Sequence, residues 1–151
     1  MSLNCKKLML PCIIVIAVSI FTGFGVQEKQ DIVTGLLTDR AFILQRAYYG
    51  EITPAEAEKQ LYEIETQPLL KEDITLLRSS DYTDLDLIDR LEVKGLKQKM
   101  TMFDNISFQG HLTWYMKGLS GDYISDSDYF ILLRSTGGQW KLSQFEPVDL
   151  Q

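Results

Sequence analysis

Few side chains in this 151-residue chain could carry catalysis, and His111 is its only histidine. A catalytic role would make His111 a general base. Its neighbours at alternating positions, Gln109, Thr113 and Tyr115, are types compatible with an exposed strand face, and the nearby sequence supplies no group that would orient the ring. We therefore expect a solvated strand residue, and a catalytic base in a pocket is the alternative.

Two groups of carboxylates could bind a cation. They are Asp81, Asp84, Asp86, Asp89 and Glu92 in the first, and Asp122, Asp126 and Asp128 in the second. Neither group has the spacing of a calcium-binding EF-hand loop, which requires a glycine and a later bidentate glutamate. Aspartate is also a frequent turn residue. We expect a polar connector over 79–86, an open hairpin loop over 118–128, and no bound metal.

Other catalytic signatures are missing from the sequence. It contains no glycine-rich phosphate loop, no HExxH motif and no Ser-His-Asp arrangement. Cys5 and Cys12 are the only cysteines, so residues 27–151 contain no disulfide, thiolate metal site or thiol nucleophile. The sequence predicts no cofactor, and it favours a non-catalytic protein over an enzyme.

The charge is unevenly distributed along the chain. The whole sequence has 15 basic and 21 acidic residues, and Lys6 and Lys7 are the only charged residues of 1–26. Subtracting these two leaves 13 basic and 21 acidic residues in 27–151, a formal charge of −8. An acidic domain without basic patches is not expected to bind nucleic acid.

Residues 8–26 carry no charge and are long enough to form a membrane-spanning helix of about 28 Å. Lys6 and Lys7 precede this run and Glu28 follows it, so the positive-inside rule places the N-terminus in the cytoplasm. The sequence therefore predicts a signal-anchor in 1–26, a single membrane span through 8–26, and an exported domain in 27–151. The alternative is a signal peptide cleaved near Gly25, which would release a secreted domain. The length of the run favours the anchor.

The exported domain begins with helical periodicity. Asp31 opens an apolar stripe that ends at Gly50, and Thr53-Pro54-Ala55-Glu56 has the residues of a capping box with proline at the first helical position. This second helix should run to about Thr66, and a third short helix should follow Pro68. The apolar positions expected to face inward are Ile32, Leu36, Leu37, Ile43, Leu44, Ala47, Ala57, Leu61, Ile64, Leu69, Leu70, Ile74 and Leu77.

The period then changes from 3.6 to 2, which predicts strands. A first strand covers 87–103 with a bulge at Gly95, and a second covers 106–119 after a turn at Asp104-Asn105. In the second strand Ile106, Phe108, Leu112, Trp114 and Met116 face one way and the polar residues face the other. A central third strand covers 129–135, and the Gly137-Gly138 turn leads to a last strand over 139–148. The fold class is α+β: about three helices packed on a curved, cone-like, four-stranded antiparallel sheet.

The final hairpin, Phe130-Ile131-Leu132-Leu133-Arg134 followed by Gly138-Gln139-Trp140-Lys141-Leu142, resembles those of the nuclear-transport-factor-like (cystatin-like cone) superfamily. With the lysine-flanked apolar run and the Tyr48–Glu56 helix junction, the chain resembles uncharacterised single-pass exported proteins of Gram-positive, clostridia-type bacteria. This resemblance implies a cone-shaped domain and supplies no catalytic residue. The superfamily contains both enzymes and non-catalytic modules, so the fold leaves function open.

We therefore expect a membrane-anchored, extracytoplasmic, non-catalytic module that binds a protein partner or assembles in the cell envelope, through its cone pocket or an exposed strand edge. The alternatives are a small-molecule sensor or a small lyase- or isomerase-type enzyme that uses the same pocket, and a structural spacer with a filled cone. Amphipathic aromatics could line a pocket or a partner surface. The candidate contact residues are His111, Trp114, Tyr115, Tyr129 and Trp140.

Overall fold

A computed structural model describes residues 28–79 and 86–148 of the chain. The apolar run 8–26, with its predicted membrane span, and most of the acidic connector, including Asp81 and Asp84, lie outside these residues. Within the described ranges, no helix combines the length and apolarity needed to cross a membrane. The chain divides between Val33 and Thr34, and the second unit, Thr34–Gln151, contains the sheet, α2, α3 and most of α1.

The first helix, α1, occupies 28–48 of the described chain. It already includes residues 28–30, so Asp31 does not begin it as the sequence suggested. Leu37, Ala41, Ile43 and Ala47 are buried at helical spacing, and Leu36 and Leu44 are half-buried. Gly50 follows with a φ of 70°, a left-handed conformation that suits glycine beyond the end of a helix. The predicted end of α1 is therefore confirmed.

The second helix, α2, covers Pro54–Ile64 and begins with the predicted capping box. The Thr53 backbone N–H donates to Glu56 Oε2 at 2.8 Å, and the Glu56 backbone N–H donates to Thr53 Oγ1 at 3.2 Å. These two bonds satisfy amide groups that a helix N-terminus leaves without intrahelical partners. The helix ends two residues before the predicted Thr66.

The third helix, α3, covers Leu69–Ser79. Leu70 and Leu77 bury their side chains against α2 residues Ala57 and Leu61 and against α1. Leu69 is also buried, and Ile64 and Ile74 are only partly so. The buried cluster comprises Ile43, Ala47, Ala57, Leu61, Leu70 and Leu77 of the helices together with Ile52 of the α1–α2 connection. These side chains hold the three helices together as one layer.

Four antiparallel strands form one sheet in the order β1-β2-β3-β4. Their bounds are Leu87–Met102, Asn105–Gly118, Gly121–Thr136 and Gln139–Pro147. Together with the helical layer this is an α+β fold with three helices packed on a four-stranded sheet, as predicted. The central position predicted for residues 129–135 is confirmed, because β3 pairs with both β2 and β4 there.

Gly95 marks a bulge in β1, as predicted. The pairing with β2 shifts between Lys94 and Lys97, and Gly95 has a φ of 58°. The bulge places Leu96 over Gly110 of β2, where an added Cβ would lie only 2.8 Å from Leu96 Cδ1. Glycine at 110 thus provides the space that the displaced Leu96 side chain occupies.

The two faces of β2 follow the predicted alternation. Ile106, Phe108 and Leu112 are almost completely buried, and Trp114 and Met116 line a pocket with residues of α1. The opposite face carries the polar residues, although Ser107 and Thr113 are buried there as well. The helices therefore cover the Trp114 face of the sheet, and His111 lies on the other face.

The predicted open loop over 118–128 is wrong. β3 starts at Gly121, and its residues pair with β2 from Gly118↔Gly121 through Lys117↔Asp122 to His111↔Asp128. Leu119 and Ser120 form a short turn instead. The aspartates suggested a loop, but residues 121–127 are exposed, and a strand exposed on both faces tolerates polar side chains. The first hairpin also turns at Phe103-Asp104 and not at Asp104-Asn105, because Asn105 already pairs with Met102.

The last hairpin follows the sequence prediction. Gly137 and Gly138 have φ angles of 61° and 82°, the left-handed pair that a two-residue hairpin turn requires. β4 then runs from Gln139 to Pro147 and pairs with β3. Beyond the sheet, Glu65 forms an isolated bridge with Leu142, and the Thr66 backbone N–H donates to Leu142 O at 2.8 Å. These contacts attach the end of α2 to β4.

Candidate functional site

A pocket of about 220 Å³ lies between α1 and the first two strands. Helix α1 provides Ala41, Leu44 and Tyr48 at the helical spacing of one face. Trp114 and Met116 of β2 provide the opposite wall, because residues two apart on a strand share a face. The complete lining comprises Arg40, Ala41, Leu44, Gln45, Tyr48, Tyr49, Asp86, Ile88, Trp114 and Met116.

The polar side chains of this pocket already have partners within the protein. The Gln45 amide binds the backbone of Ile88, accepting from its N–H at 2.5 Å and donating to its carbonyl at 3.3 Å. Asp86 accepts a hydrogen bond of 2.6 Å from the Tyr123 hydroxyl. The Asp86 carboxylate thereby raises the pKa of Tyr123. The remaining wall of the pocket is mainly apolar, so the pocket suits an apolar group.

Arg40 connects the pocket to a buried charged cluster. Its Nε and Nη2 donate to the two carboxylate oxygens of Asp73 at 2.8 and 2.7 Å. The Arg40 Nε also lies 3.1 Å from Glu65 Oε1. Asp73 and Glu65 are only 2% and 1% exposed. One cation from α1 thus meets two carboxyl groups, one from α3 and one at the end of α2.

The charge of this cluster balances only when one carboxyl is protonated. Among the described residues, neither buried oxygen of Glu65 accepts a hydrogen bond of good geometry, although Arg40 Nε lies 3.1 Å from Oε1. Burial, followed by the negative charge of Asp73, raises the pKa of Glu65 to about 9, and the attraction of Arg40 opposes this only in part. Glu65 is therefore neutral at neutral pH, and Arg40 and Asp73 form the charged pair.

Tyr129, one of the predicted contact residues, lies beside this cluster. Its ring stacks on Phe145 with centroids 4.6 Å apart and planes 2° from parallel. The guanidinium carbon of Arg40 lies 5.2 Å from the centre of the Phe145 ring. Such a cation–π contact adds an attraction to this partly buried cation. Tyr129 is thus a supporting residue of the Arg40 cluster, outside the lining of the pocket.

His111 has the orienting partners that the sequence did not reveal. Nδ1 lies 2.9 Å from Asp128 Oδ1, and Nε2 lies 3.1 Å from Asp126 Oδ2. Asp128 is directly opposite His111 in the β2–β3 pair, and Asp126 is two residues away on the same face. A neutral imidazole has only one N–H, so both contacts are hydrogen bonds only for the imidazolium form.

The His111 group lies on the exposed face of the sheet, away from the apolar pocket. The His111 side chain is 41% exposed, in a groove that also includes Lys97, Lys99 and Gln109. Asp126 and Asp128 contact opposite nitrogens of the ring, so the three side chains do not converge on one point. Within residues 28–79 and 86–148, no group of three or more His, Cys, Asp or Glu residues is arranged to hold a metal ion.

Tyr115 also lies on the exposed face. The Arg90 guanidinium carbon is 4.0 Å from the centre of its ring, and its hydroxyl donates to Glu92 Oε2 at 3.0 Å. Hydrogen bonds from Lys94 and Tyr115 lower the pKa of Glu92. Trp140 is half-buried on β4 and pairs with Ser135 of β3. Of the five predicted contact residues, Trp114 lines the pocket and the other four lie elsewhere in the sheet.

Sequence reasoning did not identify Arg40, Gln45, Glu65 or Asp73. Two of them carried a detectable signal. Arg40 lies on the apolar stripe of α1 between Leu37 and Leu44, and Asp73 lies between Leu70 and Leu77 on the stripe of α3. A charged residue on the buried stripe of a helix requires a partner of opposite charge, so these two positions could have been matched. Glu65 follows the last turn of α2 and has no such periodic signal.

No protein-family model matches the sequence. The search of curated proteins likewise finds no match.

Proposed function

We propose that the protein is a membrane-anchored, extracytoplasmic, non-catalytic module whose pocket binds an apolar side chain of a protein partner. The supporting observation is the pocket between α1 and the sheet, whose Leu44, Trp114 and Met116 surfaces remain while Arg40 and Gln45 are bonded to other residues. A polar ligand would find few groups there that lack a partner. An apolar group would be removed from water, which is the main driving force for such binding.

The size of the pocket supports a side chain as its occupant. Its volume of about 220 Å³ is below the range of about 300–1,000 Å³ typical of drug-sized ligands. A dry apolar cavity of about 150 Å³ is sufficient for benzene. An aromatic ring from a partner therefore fits, and Tyr48 and Trp114 provide aromatic surfaces against which it can pack.

Hydrogen bonds to other elements hold the walls of the pocket in place, so the pocket is formed before a ligand binds. Gln45 of α1 is bonded to Ile88 of β1, and Arg40 of α1 is bonded to Asp73 of α3. These bonds span different elements, so they fix α1 relative to the strand and to the neighbouring helix. A pocket preformed in this way binds its ligand with less loss of conformational entropy.

The predicted location remains part of this proposal. The apolar run 8–26 has the length of a membrane helix, and the lysine pair before it favours a cytoplasmic N-terminus. The order of elements, helices followed by a four-stranded antiparallel meander, is compatible with the nuclear-transport-factor-like resemblance. A domain held at the membrane surface would meet envelope proteins at a high effective concentration.

Photo-crosslinking of the full-length protein in its native membrane tests the binding function. Benzoylphenylalanine placed at Met116 samples the pocket, and the same residue at Leu76, which is 52% exposed on α3, is the matched control. We expect a specific protein adduct from position 116 that is absent from position 76. The substitution Ala41→Phe, which fills the pocket, should reduce that adduct at least fivefold. Adducts of equal yield at both positions would refute the proposed site, and capture of a small apolar molecule would support the sensor alternative.

Protease treatment of intact cells tests the location. An extracytoplasmic domain should lose residues 27–151 to an added protease while a cytoplasmic marker protein survives. Protection of the domain in cells whose surface proteins are digested would contradict the outside placement. A domain recovered from the medium without residues 1–25 would identify a cleaved signal peptide.

A further inference from the structure

The β1–β2 hairpin ends in a side chain that the fold itself does not use. Phe103 is 93% exposed and has a φ of 51°. A bulky residue rarely adopts this left-handed conformation, which glycine adopts without strain. Met100 and Met102, just before it on β1, are 47% and 53% exposed. The tip therefore presents apolar side chains to water on a strained turn, which suits a contact with another molecule.

Cations surround this tip. In a four-stranded meander the β1–β2 and β3–β4 turns lie at the same end of the sheet, and a hydrogen bond of 2.7 Å from Ser135 N to Asp104 O joins β3 to the first turn. Arg134 lies opposite Asn105 in the β2–β3 pair and donates to its Oδ1. We call residues 97–105 and 134–141 the basic sheet end. Its charged residues are Lys97, Lys99, Arg134 and Lys141 against Asp104, a net charge of +3.

The opposite end of the sheet has the opposite charge. We call residues 86–92 and 113–126 the acidic sheet end, and its charged residues are Asp86, Asp89, Glu92, Asp122 and Asp126 against Arg90 and Lys117, a net charge of −3. Lys117 is ion-paired with Asp89. Within residues 28–79 and 86–148, by contrast, no carboxylate forms an ion pair with the cations of the basic sheet end. Their positive charge is therefore available to a partner.

A lipid bilayer suits these features better than a folded protein surface does. Phe103 projects from a turn, so a rigid partner would need a matching cavity, whereas lipids rearrange around an inserted side chain. Apolar side chains of interfacial segments enter a bilayer by about 5–10 Å. Lys99 lies four residues before Phe103, about 13 Å along the strand, and lysine side chains extend toward the headgroups. The ring can therefore reach the acyl boundary while Lys99 contacts lipid phosphates.

The sequence keeps the domain close to such a surface. The apolar run ends at Val26, and the unit that contains the sheet begins at Thr34. Eight residues span at most about 29 Å, so a run held in the membrane keeps the start of this unit near the bilayer. Anionic lipids attract the basic sheet end and repel the acidic sheet end, which favours one orientation of the domain.

We propose that the basic sheet end, led by Phe103, docks on the anionic lipid surface of the membrane that holds the anchor. This inference rests on the membrane anchoring in the proposed function and not on the apolar pocket. Phe103, Met100 and Met102 supply apolar area, and the cations supply electrostatic attraction. The pocket walls Trp114 and Met116 belong to the acidic sheet end, so this docking leaves the pocket open to a protein partner.

Photo-crosslinking of the full-length protein reconstituted into vesicles tests this inference. Benzoylphenylalanine replaces Phe103 in vesicles that contain equal amounts of phosphatidylglycerol and phosphatidylcholine, and mass spectrometry identifies the adducts. The matched control carries the same residue at Leu119, the tip of the acidic sheet end, which is 90% exposed. We expect a yield of lipid adducts from position 103 at least fivefold above that from position 119, and a much lower yield from position 103 in pure phosphatidylcholine.

Charge exchange separates docking from simple proximity to the bilayer. The pair Lys97→Glu and Lys99→Glu should reduce the lipid adduct of position 103 at least threefold on anionic vesicles, and a cationic lipid in place of phosphatidylglycerol should restore it. The matched control is Lys59→Glu with Lys71→Glu, which makes the same change of charge at exposed positions of α2 and α3. This control should leave the yield unchanged.

Carbonate extraction of the same vesicles reports on the anchor separately. If the protein is retained but positions 103 and 119 give equal yields, or the yields do not depend on lipid charge, the docking inference is overturned while the proposed function stands. Adducts of position 103 with a second copy instead of lipid would overturn it as well. Release of the protein by carbonate would contradict the membrane anchor, and the inference with it.

Discussion

Arg40 and Asp73 are joined by a pair of hydrogen bonds, 2.8 Å from Nε to Oδ2 and 2.7 Å from Nη2 to Oδ1, across 33 positions of the sequence. The planar guanidinium matches the two carboxylate oxygens in this arrangement, which makes the contact directional. The same Arg40 lines the pocket. The position of one pocket wall therefore depends on a buried ion pair between two helices.

Loss of this ion pair should destabilise the protein strongly. The substitution Asp73→Asn leaves the partly buried Arg40 with only Glu65 nearby, and breaking a buried pair costs about 3–5 kcal/mol. We expect the free energy of unfolding to fall by an amount near the lower end of this range, about 3 kcal/mol. Glu65 Oε1 lies 3.1 Å from Arg40 Nε, so the Glu65 carboxyl can ionise and replace the lost charge of Asp73. Urea unfolding followed by tryptophan fluorescence measures the change.

A control with the same geometry isolates the effect of burial. Arg78 binds Glu58 through two hydrogen bonds of 2.7 and 2.8 Å, but the Arg78 side chain is 66% exposed. Water weakens such a pair, so Glu58→Gln should change the free energy of unfolding far less than Asp73→Asn. Similar losses for both variants would contradict the structural importance of the buried pair.

Glu65 should make the protein less stable as the pH rises. Unfolded Glu65 loses its proton near pH 4.5, and folded Glu65 near pH 9. Between these values the folded state binds more protons, so the free energy of unfolding falls with increasing pH, by at most about 1.4 kcal/mol per pH unit. The variant Glu65→Gln cannot ionise and should show a flatter profile in denaturant unfolding between these two limits.

Two other glutamates change the stability of the protein in a lower pH range than Glu65. Hydrogen bonds from Thr53 to Glu56 and from Arg78 to Glu58 lower the pKa values of these two glutamates, and the stability they contribute is lost only as the pH falls below about 4.5. The exposed Glu63→Gln is the matched control on α2 and should retain the wild-type slope. If the free energy of unfolding of Glu65→Gln falls with pH as steeply as that of the wild type, Glu65 is ionised in the folded protein.

Removal of the α2 cap should cost stability independently of the cluster. Thr53→Ala deletes the hydroxyl that accepts the Glu56 backbone N–H, and loss of such a cap costs about 1 kcal/mol. Thr75→Ala is the matched control, because the Thr75 hydroxyl donates to Lys71 O within α3 and alanine is the better helix former there. Thermal unfolding should show a lower midpoint for Thr53→Ala alone. A loss of equal size in Thr75→Ala would argue against a specific capping effect.

Phe103→Gly should stabilise the isolated chain. Glycine relieves the left-handed strain at a φ of 51°, a gain of about 1 kcal/mol. Phe103→Ala keeps the strain and is the control, since it also removes the exposed ring. Chemical unfolding in urea measures the free energy of unfolding of both variants. Equal stability of the glycine and alanine variants would show that the turn is not strained.

Local features of the fold were predictable because consecutive side chains encode them. The capping box at Thr53 and the Gly137-Gly138 hairpin depend on residues within four positions of each other. The bulge at Gly95 was visible as a change in apolar alternation along a single strand. The loop predicted over 118–128 failed, because the pairing of Asp122 with Lys117 was hidden by a composition typical of turns.

The sequence alone determined the acidic character of residues 27–151, the three helices and the four-stranded antiparallel meander, apart from the start of β3 at Gly121. Only the tertiary structure decided that Arg40, Glu65 and Asp73 meet, and that Asp126 and Asp128 surround His111. The physical reason is that periodicity is a property of neighbouring residues, whereas the partners of a charge depend on how helices and strands pack. Burial of Glu65 beside Asp73, which raises its pKa to about 9, arises only when α2, α3 and β4 come together.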